Sequence, residues 1–172
     1  IMVKKCMVNS IPHYNIPMNH SPRASFGVFL YSILNILGDA LPIQKSEVIE
    51  SLEKMDQLQK NINSNKLNEE NQSLKLAKKI NSNPLIYYPD GLKAAAIRFK
   101  NSLQENSKIH TSIEDVIEAS HNSISTWENN NNFKPILLQG ADDYVKTKER
   151  WKIIKEYFNS KKIDFEEVYS VD

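Results

Sequence analysis

The strongest constraint on this chain lies in its second half, where short apolar runs alternate with helical stretches. Residues 85–88 (LIYY) read as a strand closed by Pro89-Asp90-Gly91, a turn signal. Leu92, Ala95, Ala96, Phe99 and Leu103 then recur at helical spacing. Residues 135–139 (PILLQ) have the character of a buried strand, 143–159 of a helix and 165–168 of a further strand. Strands that alternate with helices predict an α/β fold, a parallel sheet with helices on both faces. Between these elements, a less regular stretch to about residue 128 reads as short helices and loops, and 129–132 as a polar loop.

The first half is patterned differently. Residues 3–8 suggest a short strand, followed by a connector that holds Pro12 and Pro17. Ser21-Pro22 resembles a helix start, with serine as cap and proline in the first turn. The run from Phe26 to Leu37 (FGVFLYSILNIL) is apolar on nearly every side, which predicts a helix buried within the domain or in a subunit interface, ended by Gly38. Residues 44–63 and 67–81 read as two charged amphipathic helices.

Composition excludes several function classes. A formal net charge of +1 gives no electrostatic basis for nucleic acid or an anionic membrane as partner. Cys6 is the only cysteine, so no disulfide can form within the chain. No apolar run reaches the roughly 18–20 residues that span a bilayer. These features predict a cytoplasmic location. The four glycines form no phosphate-binding loop, a G-x-S-x-G elbow is absent, and His13 and His20 have no ligand-spaced acidic or cysteine partner. No metal site is expected. The whole, residues 1–172, reads as one domain. Its opening in strand-like sequence and its end at Val168–Asp172 suggest a fragment of a longer protein.

Three segments resemble the C-terminal half of the bifunctional phosphoglucose/phosphomannose isomerases, in the sugar isomerase (SIS) superfamily. His20-Ser21-Pro22-Arg23-Ala24-Ser25 is similar to the family's Pro-Arg-Ala helix start. The segment from Arg98 to Lys108 (RFKNSLQENSK) is close to R-x-K-x-x-x-N-E-N-x-K, with Gln104 in place of the asparagine before the glutamate. Glu118-Ala119-Ser120-His121-Asn122 is close to E-x-x-H-N, and Trp127 falls where the family often has an aromatic residue.

The resemblance implies a SIS-type, three-layer domain, incomplete at both ends, that interconverts glucose 6-phosphate or mannose 6-phosphate with fructose 6-phosphate. Glu105 would be the base that moves a proton between C1 and C2, in the last turn of a helix where a carboxylate opposes the dipole. Arg98, seven residues earlier, would share its face and orient it. His121 would open the sugar ring, since imidazole exchanges protons near neutral pH. Arg23 would stabilise the enediolate, with the helix start beside it favouring an anion. Pro22, Arg23, Asn106 and Asn122 would contact the substrate. No metal or organic cofactor is implied. The expected partners are the sugar phosphate, a missing N-terminal SIS domain with its Ser/Thr phosphate loops, and a second copy in a homodimer. Without that domain the chain alone is expected to be inactive. On residue type alone the alternatives stay open: a surface glutamate for Glu105, a capping histidine for His121, a solvated arginine for Arg23. The rival function is a non-catalytic SIS module that binds a sugar phosphate or a partner subunit.

Overall fold

The computed structural model describes the chain except residues 18, 130, 131, 171 and 172. The chain divides into two units, Ile1–Glu53 and Lys54–Asp172.

In the first unit, residues 2–8 form a helix, α1 (Met2–Val8), where a strand was expected. Met2, Val3, Cys6 and Met7 follow a helical spacing of i, i+1, i+4, i+5 rather than the alternation a strand requires. The predicted start at Ser21-Pro22 is a single 3-10 turn, Pro22–Ala24, and the longer helix, α2 (Phe26–Ile36), begins only after Ser25. The Ser21 side chain caps nothing. The Ser25 hydroxyl instead donates back to the carbonyls of His20 and Ser21, at 3.2 and 3.0 Å, and this local bonding separates the turn from the helix. The expected burial of α2 is not met within the chain. None of its residues is buried, and Phe26, Val28, Leu30 and Ile33 are exposed. α3 (Lys45–Ile62), which runs from the first unit into the second, lies where the charged periodicity placed it.

In the second unit, α4 (Gln72–Lys79) is shorter than its pattern, because Asn71 caps it by accepting from the Leu74 amide at 3.0 Å. Then follow β1 (Asn83–Tyr88), α5 (Lys93–Ser102), β2 (Ser112–Asp115), α6 (Val116–His121), β3 (Phe133–Gln139), α7 (Val145–Ser160) and β4 (Glu166–Tyr169). Gly91, at φ 89°, makes the turn between β1 and α5, a backbone region that favours glycine. The four strands form a parallel sheet in the order β2-β1-β3-β4. Residues 129 and 132 of the expected polar loop flank two positions outside the described residues.

Side chains of β1 and β3 alternate between two cores, as the pleat demands. Ile86, Tyr88, Ile136 and Leu138 pack with Ala96, Phe99 and Leu76 under α4 and α5. On the other face, Tyr87 and Leu137 pack with Val116, Ala119, Trp127, Trp151, Ile154 and Phe158 under α6, a following 3-10 turn (Ser123–Glu128) and α7. Phe158 is the hub of this second core, edge-on to Trp127 at 5.3 Å and tilted against Tyr87 and Phe165. The predicted three layers are therefore present. β2, which sequence patterning missed, is a short outer strand whose only neighbour among the described residues is β1.

Two polar contacts, the first of them buried, tie the irregular stretch to this sheet. The Trp127 indole donates to the Tyr87 hydroxyl at 2.8 Å. Asp115 caps α6 directly at the end of β2, accepting from the Ile117 and Glu118 amides at 2.7 and 3.4 Å. Tyr87→Phe would leave the buried indole N–H unsatisfied and should cost about 1–3 kcal/mol in urea unfolding at neutral pH. Burial pushes the Tyr87 phenol from 10.0 up to about 12, against the opposing indole hydrogen bond. The folded state thus holds this proton more tightly than the unfolded chain does. Its contribution is intact below the ordinary tyrosine pKa and is lost as pH rises from about 10 to about 12. The gap between wild type and Tyr87→Phe should therefore narrow when unfolding is repeated at pH 11. Asp115→Ala should destabilise by about 1 kcal/mol, with Asp115→Ser recovering most of it, as a lost cap does.

Candidate active site

α5 does not end as an ordinary helix. It widens into a π-helical turn, Leu103–Ser107, a winding that occurs often at functional sites. Leu103 anchors the turn in the core beneath α5, and the four residues after it are exposed. Glu105 sits at its centre, so the expectation of an α-helical last turn is corrected. The i→i+5 winding also moves Glu105 out of the phase that a seven-residue spacing from Arg98 would give.

The neighbours of Glu105 are bonded to backbone. Gln104 donates its amide to the Thr111 carbonyl at 3.3 Å, linking the turn to the approach of β2. Asn106 donates to the Ser102 carbonyl at 3.0 Å, and the Lys108 ammonium donates to the Glu105 carbonyl oxygen at 2.7 Å. Lys108 itself takes a left-handed backbone, φ 57°, which costs a non-glycine residue about 1–2 kcal/mol. The Glu105 carboxylate makes no hydrogen bond or ion pair among the described residues.

His121 is the last residue of α6, and Asn122 follows it, its amide donating to the Glu118 carbonyl at 3.0 Å. Both are exposed. Ser123 returns the chain to the sheet by donating to the Glu114 carboxylate of β2 at 2.7 Å. The turn that carries Glu105 and Asn106 belongs to the α4/α5 layer, and the helix that carries His121 belongs to the opposite layer. The outer strand β2 runs between them, bonded to each side. These four candidates thus flank one open edge of the sheet. Pro22 and Arg23 belong to the first unit, in the exposed 3-10 turn ahead of α2. Arg23 therefore does not stand at the start of a long helix, and the dipole argument for anion binding there lapses.

The most strongly bonded carboxylate was invisible to sequence patterning. Glu167 on β4 is contacted by Tyr169, by Gln139 at 2.7 Å and by Lys155 at 3.0 Å. Burial alone would raise its carboxyl, but these three donors and the lysine charge outweigh it and hold it below the usual carboxylate range. Lys134, buried in β3, is likewise paired with Asp164 and with Glu166 at 3.3 Å. No local spacing announces either group, since the partners come from different elements. A carboxylate surrounded by three donors is a poor proton acceptor, whereas Glu105 is exposed and unbonded among the described residues. Among the described residues no three His, Cys, Asp or Glu side chains are grouped as metal ligands, and no helix is long and apolar enough to cross a membrane.

Comparison with known proteins agrees with this fold. The model of the bacterial phospho-glucose isomerase C-terminal SIS domain matches residues 69–172, which include Glu105, Asn106, His121 and Asn122 and leave out Pro22 and Arg23. A bifunctional phosphoglucose/phosphomannose isomerase from Aquifex aeolicus (strain VF5) is 30% identical over 149 residues, covering 83% of this chain and 42% of the relative. The chain thus spans less than half the length of that protein. With its four-stranded parallel sheet between two helical layers, the chain belongs to the SIS-domain family of phosphoglucose/phosphomannose isomerases and corresponds to the C-terminal region.

Proposed function

We propose that this chain supplies the base and the ring-opening group of a sugar-phosphate aldose–ketose isomerase. The substrates would be glucose 6-phosphate or mannose 6-phosphate, converted to fructose 6-phosphate through an enediolate. The observation that supports this reading best is Glu105: an exposed carboxylate with no partner among the described residues, on a turn where the side chains at 104, 106 and 108 are bonded to backbone. A surface glutamate would need no such bracing. In this reading Glu105 takes the C2 proton and returns it to C1, and His121 passes a proton to and from the ring oxygen. The resemblance assigns charge balance at the enediolate to Arg23 and sugar contacts to Pro22 and Asn122. The hydrogens move through Glu105, so no metal or organic cofactor takes part.

The phosphate would be held by a further SIS domain, and its binding energy would position C1 and C2 against the base. A homodimer completes the proposal, and the exposed apolar residues of α2 favour it. The rival, a non-catalytic SIS module, has no use for an unpaired carboxylate on a braced turn.

In the complete two-domain protein, Glu105→Gln should reduce turnover by about 10²–10⁴-fold, the usual worth of a positioned base. Solvent exchange of the C2 hydrogen should vanish with it, while substrate affinity changes little. A rate within a few-fold of the parent would remove Glu105 from the mechanism. His121→Ala should slow cyclic substrates more than open-chain ones, and activity should survive EDTA. The 172-residue chain alone should show little or no turnover. Light scattering on the complete protein should report a dimer, and a monomer would refute that part.

A further inference from the structure

We infer that Lys108, assisted by Gln104 and Asn106, is a positioning residue that fixes the backbone under Glu105; this rests on Glu105 being the base, as proposed above. Three side chains around Glu105, at positions 104, 106 and 108, each donate to a carbonyl, those of Thr111, Ser102 and Glu105 itself. Two of these carbonyls, those of Ser102 and Glu105, lie at or within the π-helical turn, and the third, that of Thr111, lies on the approach to β2.

Lys108 is the member hardest to explain otherwise. A lysine on an exposed surface keeps its rotamer freedom by staying solvated. Here it gives up that freedom to reach back three residues, from a left-handed backbone that lysine rarely adopts. Lys162, which follows α7, shares this φ of 57°, so the left-handed backbone is a common helix ending and the reach of the Lys108 ammonium to the Glu105 carbonyl is what sets it apart. The ammonium also places positive charge at the carbonyl end of the α5 turn, where the Glu105 carboxylate is otherwise opposed by the dipole. Gln104 extends the brace to Thr111, which is buried, and so ties the turn to the start of β2. Asn106, expected to touch substrate, commits its amide to Ser102 and belongs with the brace.

The test uses the complete two-domain protein with Lys108→Asn, since asparagine accepts the left-handed backbone but cannot reach the Glu105 carbonyl as an ammonium. We expect the variant to fold, kcat to fall about 10–100-fold, as small misplacements of a catalytic group do, and KM to change less than about twofold. Amide hydrogen exchange should quicken across 103–108, and Lys108→Arg should recover much of kcat. Asn106→Ala should likewise lower kcat rather than raise KM. If Lys108→Asn keeps kcat within about twofold, or raises KM alone, the positioning role is overturned. Glu105→Gln, measured alongside, separates the two claims. An inactive Glu105→Gln with a fully active Lys108→Asn removes the brace and leaves the base. An active Glu105→Gln removes the base, and the brace with it.

Discussion

The buried hydrogen bond from the Trp127 indole to the Tyr87 hydroxyl joins the least regular part of the chain to the middle of the sheet. Residues 103–128 hold one short outer strand, one short helix and two irregular turns, too little to order themselves. Short helices are marginal in water and gain their stability from packing. Trp127 provides that packing, because its ring meets Phe158 of α7 while its N–H is satisfied by β1. With that end fixed, α6 is held at its start by Asp115 and beyond its end by Ser123 on Glu114. Both sides of β2, and therefore both halves of the candidate site, inherit their placement from this anchoring.

Where sequence succeeded, the physical signal was local. LIYY and PILLQ are apolar runs of strand length bounded by turn residues, and they became the two central strands. The helix after Gly91 and the one after residue 143 carry enough core-facing residues to be read by periodicity. β2 escaped because Ser-Ile-Glu-Asp holds one apolar side chain, as an outer strand can. The misread strand at 3–8 and the over-long helix at 67–81 both turned on short-range details, a repeat of four against two and a capping asparagine.

The site was legible to a different degree. The segments that carry Glu105 and His121 stood out by resemblance, and no residue count along the chain shows that β2 would lie between them. The π-helical winding was hidden as well, since Leu103–Ser107 reads as ordinary helix by composition. What the sequence does contain, without announcing it, is the set of donors at 104, 106 and 108 that makes that winding tenable.

The two outer strands of the described sheet have a bearing on how the protein behaves in a crowded solution. β2 and β4 are each only four residues long, and each carries two carboxylate side chains, Glu114 and Asp115 on one and Glu166 and Glu167 on the other. A second copy that paired its own β2 here would set like charges directly opposite one another at the roughly 4.8 Å spacing of neighbouring strands, whereas the β4 carboxylates are paired with Lys79, Lys134 and Lys155. Fibril-like growth through the backbone is thereby discouraged at the β2 margin, as natural sheets commonly arrange. Contacts with other chains are left to side chains, and side-chain surfaces discriminate between partners where a bare strand edge accepts any.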